Sequence, residues 1–118
     1  KMTRLSISLK RKDERKKIYS QGSRAIIQPL AHELSKKKIE PFMLTLEVGG
    51  ESGKHPYSSH HGEEFGIILQ GKIKFTLEDM KYTLIDGDSV YFNSTRPHKW
   101  ENVGKKEAII ILVIPGIS

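Results

Sequence analysis

Two short stretches of the sequence carry side chains that can bind a metal ion or a polar ligand. The first contains His60 and Glu64, and the second contains His98 and Asn102. Each pair is four residues apart, so in a β-strand both members lie on one face. Two histidines and one carboxylate on converging strands are a ligand set for a divalent metal such as Fe, Mn, Ni or Zn. The same side chains can instead form a metal-free polar pocket, and the spacing leaves both interpretations open.

The elements around these residues are predicted to be strands. Short runs rich in Val, Ile, Thr, Phe and Tyr end at Gly, Asp, Asn or Pro, which is typical of β-strands joined by turns. The predicted strands are residues 5–9, 24–30, 42–48, 64–69, 72–77, 81–85, 89–92, 98–102 and 107–114. One helix is predicted around Leu30–Lys38. Many short strands at regular spacing indicate an all-β sandwich or barrel of antiparallel sheets.

The composition excludes several classes of protein. The chain of 118 residues fits one domain and contains no cysteine, which rules out disulfides, thiolate zinc sites and cysteine nucleophiles. The longest apolar run, Ala108–Pro115, is too short to span a bilayer. The N-terminus is basic and lacks the apolar segment of a signal peptide. We therefore expect a cytoplasmic protein that does not enter a membrane.

The positive charge is concentrated at one end of the chain. Residues 1–40 hold 12 Lys/Arg against 4 Asp/Glu, whereas residues 41–118 hold 8 against 10. Much of the excess lies in the run KRKDERKK, Lys10–Lys17. Such a run either contacts nucleic acid or is a solvated linker. No aromatic residue interrupts the run, which favours the linker.

The two stretches together resemble the paired motifs of the cupin superfamily. In HHGEEFGIILQG, the second motif histidine, the glutamate and the closing glycine fall on His60, Glu64 and Gly71. In GDSVYFNSTRPHKWEN, the final histidine and asparagine fall on His98 and Asn102. The resemblance covers residues 42–114. It implies a double-stranded β-helix, the cupin jelly-roll barrel, with a ligand site inside its mouth.

One departure from the cupin pattern concerns the metal ligands. The first motif histidine falls on Ser58, and a neutral hydroxyl is a poor ligand for a transition metal. The resemblance therefore leaves His60, Glu64 and His98 for one divalent metal (Zn, Fe, Mn or Ni), or for a metal-free pocket. Ser58, Trp100, Asn102 and Tyr91 are predicted to line a ligand pocket beside them.

The chain also resembles the C-terminal cupin domain of Xre-type helix-turn-helix regulators. That resemblance implies a basic lead-in or linker at residues 1–23, with room for an edge strand, and a cupin domain at residues 24–118. A start at Lys1 rather than Met is in keeping with a helix-turn-helix domain upstream. The resemblance to these regulators implies a sensor that binds a small molecule and contacts DNA only through that upstream domain.

Other functions of the fold stay open. Cupins include metal-dependent dioxygenases and isomerases as well as stand-alone binding proteins, and fold alone does not separate them. No residue is assigned a catalytic role here, because no general acid or base has persuasive spacing. Strands that are apolar on both faces, such as Ile109–Ile114, need a cover, so we expect a homodimer.

Overall fold

The structure is a computed structural model that describes residues 7–32, 37–53, 58 and 61–116. These residues form one short 3₁₀ helix and nine strands. The helix is Lys12–Glu14, and the strands are β1 Ile18–Ser20, β2 Ala25–Pro29, β3 Ile39–Leu46, β4 Glu63–Gln70, β5 Lys72–Leu77, β6 Met80–Ile85, β7 Ser89–Asn93, β8 His98–Asn102 and β9 Ala108–Pro115.

The strands form two antiparallel sheets. The larger sheet has the order β1-β2-β3-β9-β4-β7, and the smaller has the order β6-β5-β8. Strands β4 and β8 therefore belong to different sheets, although both carry residues of the predicted site. The all-β cupin architecture predicted from the sequence is confirmed.

The core lies between the inner faces of the two sheets. Alternate residues of each strand point inward, since successive side chains of a strand lie on opposite faces. The most deeply buried apolar side chains, each 2% exposed or less, are Leu46, Ile68, Ile73, Phe75, Trp100, Ala108 and Ile110. Both sheets contribute to this set, so the core joins them.

A glycine in β4 makes room for the largest core side chain. A Cβ atom at Gly66 would lie 2.5 Å from Cη2 of Trp100 and 2.9 Å from Cδ2 of Leu112. Trp100 is packed against Phe75, with ring centroids 4.5 Å apart. A side chain at position 66 would clash with both residues, so glycine allows Trp100 to reach the inner face of β4.

The outer faces of the two sheets differ in chemistry. The smaller sheet is charged on the outside, where Lys74 lies 3.3 Å from Glu101 and Lys99 lies 2.8 Å from Glu51. The larger sheet carries a continuous row of half-buried or exposed apolar side chains across strands β3, β9 and β4, which we name the outer apolar face. Its members are Met43, Phe65, Ile67, Ile111 and Val113.

Two predicted elements differ from the structure, and one observed strand was not predicted. Strand β1 was not predicted, because it has only three residues and two of them, Ile18 and Tyr19, are half-exposed. The prediction of a strand at residues 5–9 is wrong for residues 7–9, which form no strand, and residues 5–6 lie outside the described residues. The predicted helix falls partly on residues 33–36, which also lie outside them, and its flanking residues 30–32 and 37–38 are not helical. No helix in the described ranges is long and apolar enough to cross a membrane.

Candidate functional site

Glu64 and His98 meet in the interior, across the gap between the two sheets. Glu64 is the second residue of β4 and His98 is the first residue of β8. Both side chains point inward, and each is only about 5% exposed. Oε2 of Glu64 lies 3.3 Å from Nε2 of His98. The neighbouring Glu63 points outward and is exposed, as the alternation of a strand requires.

The hydrogen bonds of His98 determine where its protons lie. Nδ1 is 2.8 Å from the carbonyl oxygen of Arg96, and because a carbonyl only accepts, Nδ1 carries a proton. Nε2 faces Oε2 of Glu64, so below the raised pKa of His98 one further proton lies between these two atoms. In that state the pair is a net-neutral unit that holds one shared proton, which is how an otherwise apolar core tolerates two ionisable groups.

The pKa of His98 is raised above its ordinary value of 6.5. Burial disfavours the charged imidazolium and acts to lower the pKa. The hydrogen bond to Glu64, the hydrogen bond to the Arg96 carbonyl and the negative charge of Glu64 together outweigh burial. The folded protein therefore holds the imidazolium proton more tightly than the unfolded chain does.

A cavity of about 230 Å³ opens beside this pair. Its wall is mostly apolar, and among the described residues it carries the Glu64–His98 pair and three serine hydroxyl groups. The lining residues are Ser20, Ser23, Ala25, Ile27, Phe42, Leu44, Ser52, Glu64, His98, Trp100, Leu112 and Ile114. Such a wall suits a small ligand that has an apolar body and one polar group.

Trp100 is the one predicted ligand-pocket residue that lines this cavity. Its position follows from parity, because it lies two residues after His98 on β8 and therefore shares the inner face. Its backbone is fixed at the cavity wall by Ser52, whose Oγ accepts a hydrogen bond from the Trp100 N–H at 2.9 Å. The indole thus forms a rigid side of the cavity.

Asn102 lies on the same inner face but is occupied by backbone groups. Its Nδ2 donates to the carbonyl oxygens of Leu46, Glu47 and Lys106 at 2.9–3.2 Å. Its Oδ1 accepts from the Gly104 N–H at 2.8 Å. The side chain joins the end of β3 to the turn after β8, and it does not line the cavity.

The remaining predicted site residues lie elsewhere. Tyr91 is 67% exposed on the outside of β7, where its hydroxyl donates to Glu63. Ser58 is exposed and lies in no strand. His60 lies outside the described residues, so the structure does not place this predicted ligand. Of the predicted set, the structure brings together Glu64, His98 and Trp100.

Three serines of the cavity were not anticipated from the sequence. Ser20 ends β1, Ser23 lies in the turn before β2, and Ser52 follows β3. They come from three different segments without a shared motif. The pairing of β1 with β2 and the hydrogen bonds between Ser52 and Trp100 of β8 bring them to one wall, so no local sequence signal could have found them.

Two of the three predicted metal ligands have suitable geometry. Metal–nitrogen and metal–oxygen bonds are about 2.1 Å long, so neighbouring ligands of one ion lie about 3 Å apart. The separation of 3.3 Å between Nε2 of His98 and Oε2 of Glu64 fits this spacing. The hydrogen bond to the Arg96 carbonyl places a proton on Nδ1, so Nε2 is the nitrogen that would bind a metal once its proton is released. Within the described ranges, no three His, Asp or Glu side chains form a cluster for a metal.

The raised pKa of His98 predicts the effect of removing the carboxylate. In Glu64→Gln, burial should dominate and lower the pKa of His98 below that in the unmodified protein. NMR titration of the imidazole in metal-free protein measures this shift.

The pair stabilises the fold fully below pH 6.5, and the contribution is lost as the pH rises through the raised pKa. Urea denaturation should therefore show a larger stability deficit of Glu64→Gln at pH 6 than at pH 9. An unchanged pKa of His98 in the variant would contradict the shared proton, and Glu63→Gln serves as the control.

Comparisons with known proteins agree with this architecture. The HTH-type transcriptional regulator PuuR of Escherichia coli is 29% identical over 82 residues, which are 69% of this chain and 43% of PuuR. The chain thus spans less than half of the length of that curated relative. A cupin domain of an XRE family transcriptional regulator from Enterobacter cloacae has a TM-score of 0.71 at 19% identity, covering 80% of this chain and 99% of that one.

A second solved structure shares the fold. KdgF from Halomonas sp. has a TM-score of 0.75 at 18% identity, with 96% of this chain and 97% of that chain covered. The cupin domain family matches residues 42–114, which include β4, β8 and the Glu64–His98 pair. The chain belongs to the cupin domain family.

Proposed function

We propose that this chain is the ligand-sensing domain of a transcriptional regulator whose helix-turn-helix domain lies upstream of it. The observation that carries the proposal is the cavity of about 230 Å³ beside a buried, neutral Glu64–His98 pair. Similarity to regulators such as PuuR supports the same function. Such a regulator works where the DNA is, so the proposal includes a cytoplasmic location.

The chemistry of the cavity defines the class of ligand. Apolar side chains dominate the wall, and the two ionisable groups neutralise each other. In the metal-free protein, a ligand with a net charge would be left without a compensating charge inside the cavity, which is costly in an apolar interior. The proposed ligand is therefore small and largely apolar, with one group that hydrogen-bonds to Glu64, His98 or a serine hydroxyl.

The position of β1 offers a route from the cavity to the upstream domain. Ser20 and Ser23 line the cavity, and both belong to the hairpin that directly follows the basic run Lys10–Lys17. The Ser23 carbonyl accepts from the Glu51 N–H at 2.8 Å, next to the cavity residue Ser52. A ligand that contacts these serines would stabilise β1 against β2 and so change how firmly the lead-in is held.

We include one divalent metal in the proposal, bound by Glu64 and His98 with His60 as the third ligand. When bound, the metal would polarise a ligand oxygen or nitrogen and so favour ligands that carry such an atom. The chain's own residues would orient that ligand, with Trp100 as the rigid side of the cavity.

Ligand binding in the cavity can be tested with a variant that fills it. Ile27 lines the cavity, whereas Ile26 on the same strand does not. A ligand at about 100 times its Kd stabilises a protein by about 2.7 kcal/mol, which a thermal-shift screen of small metabolites detects. We expect the stabilising compounds to act on wild type and on Ile26→Phe, and to have no effect on Ile27→Phe. Equal stabilisation of both variants would place binding elsewhere, and consumption of the compound would favour a metal-dependent enzyme.

Metal binding can be tested by elemental analysis of purified protein. After growth with added Fe, Mn, Ni and Zn, we expect near-stoichiometric metal in wild type. Glu64→Gln and His98→Gln should lose it, because each removes one of the converging donor atoms. Glu63→Gln removes a carboxylate one residue away that points outward, and it should keep the metal. Absence of metal from all four proteins would contradict metal binding at this site.

The proposed homodimer would cover the part of the outer apolar face formed by β9 and β4, since Met43 of β3 also lines a groove beside the basic segment. Ile111 of β9 belongs to this part and pairs with Ile67 of β4. Ile111→Lys should convert the dimer to a folded monomer, because a charge in an apolar interface is left unpaired. Met80→Lys makes the same change at an exposed position of the smaller sheet and should leave the dimer intact. Sedimentation equilibrium of the three proteins measures the mass, and a monomeric wild type would exclude the dimer.

A further inference from the structure

We propose that the basic segment Lys10–Lys17 binds the phosphate backbone of DNA, so that this chain adds contacts of its own to those of an upstream domain. The sequence alone favoured a solvated linker and assigned DNA contact to the upstream domain only. The proposal rests on the proposed regulator function for its choice of partner. It rests on the structure for the surface itself.

Most of the net charge of the chain lies in this segment. Lys10–Lys17 holds six Lys/Arg against two Asp/Glu, a net charge of +4, whereas the whole chain carries +6. The other 110 residues therefore carry only +2 between them. A cluster of this density attracts polyanions and repels other cationic surfaces.

Some cations on the body of the domain are paired with carboxylates, whereas those of the segment are not paired with any carboxylate that the structure describes. On the body of the domain, Arg96 pairs with Glu78 and Lys74 pairs with Glu101. Within the described residues, no cation of the segment forms an ion pair; these residues are Lys10, Arg11, Lys12, Arg15, Lys16 and Lys17. Their charge is therefore available to an external anion.

The acidic residues within the segment neutralise little of this charge. Oε1 of Glu14 accepts a hydrogen bond from the Arg11 backbone N–H at 2.7 Å and lies 3.9 Å from Nε2 of His32. The Glu14 side chain thus contacts the domain but remains half exposed. With the exposed Asp13, it leaves the segment a net charge of +4.

The segment is held against the domain. The 3₁₀ helix Lys12–Glu14 shapes its middle, and Nζ of Lys10 donates to the Pro29 carbonyl at 3.4 Å. Just before the segment, Oγ of Ser8 accepts from the His32 N–H at 2.7 Å. Because the backbone is already fixed, binding an anion orders only the ends of the side chains.

The fixed segment borders an open groove. The groove has a volume of about 700 Å³ and is lined by Lys12, Asp13, Arg15, Lys17, Gln28 and Met43. Three cations and one carboxylate give the groove a net positive charge. Gln28 adds an amide that can donate to a phosphate oxygen, although in the structure it contacts the sulfur of Met43 at 3.8 Å.

The chemistry of the segment favours binding to phosphates over binding to bases. It contains no aromatic side chain that could stack on a base. Lys and Arg side chains that contact phosphates position a protein on DNA without reading the sequence. We therefore expect weak binding that is independent of sequence and strongly dependent on salt.

Fluorescence anisotropy of this chain with a labelled duplex of about 20 base pairs and arbitrary sequence tests the proposal. The variant K12Q/R15Q/K17Q removes three charges from the groove. The control K81Q/K105Q/K106Q removes three exposed charges elsewhere, so both have the same net charge. We expect the groove variant to bind at least about 10-fold more weakly than the control at about 50 mM salt. Its plot of log K against log salt should be shallower than that of wild type by about 2–3, because each neutralised phosphate contributes about 0.9 to the slope.

Three outcomes would overturn the proposal. Equal weakening of both variants would show attraction by net charge alone, and an unweakened groove variant would show that the duplex binds elsewhere. Binding to phosphatidylserine vesicles without binding to the duplex would assign the groove to a membrane surface. The Ile27→Phe test of the cavity does not involve this groove. If the wild-type chain responds to a ligand but does not bind the duplex, only the DNA contact is rejected. If it binds the duplex but responds to no ligand, only the sensor function is rejected.

Discussion

The shared proton between Glu64 and His98 is the interaction on which the interior of this protein depends. The two residues come from different sheets, and each is almost fully buried in an apolar core. Neither group can be ionised there alone without a cost of several kcal/mol. Their neutral pair allows the sheets to close over a polar contact, and it leaves a cavity whose polar end has no net charge. Any ligand or metal that enters must replace this interaction with one at least as favourable.

The fold was largely predictable because strand parity and turn residues are local signals. The stretch Lys72–Leu77 alternates strictly, and the structure buries its three apolar positions and exposes or half-buries the others. Strand β1 shows where such signals end, since Ile18–Ser20 lies in a polar segment and is a strand only because β2 offers it an edge. Its formation depends on a tertiary contact, to which local propensity gives no guide.

For the site, the sequence predicted which face of its own strand a residue lies on, but not which distant segments that residue contacts. The four-residue interval from His98 to Asn102 correctly gave both an inward face, but it did not distinguish a ligand residue from one that binds backbone carbonyls. That difference depends on the end of β3, which lies 56 residues away along the chain. The prediction for Tyr91 placed it beside the ligand, and its exposed position on β7 reflects an odd parity relative to the buried Phe92.

The lead-in joins the two surfaces that the proposals assign to ligand and DNA. Its basic residues, Lys10–Lys17, end directly before β1, and β1 ends at a serine of the cavity wall. A three-residue edge strand with half-exposed side chains is held weakly, so small changes in binding energy alter how often it is paired. A strongly paired strand would resist such changes. Under these proposals, the weak pairing of β1 would let a small neutral ligand influence the basic segment. The coupling would be reciprocal, since DNA bound to the segment would also stabilise β1 against β2 at the cavity wall.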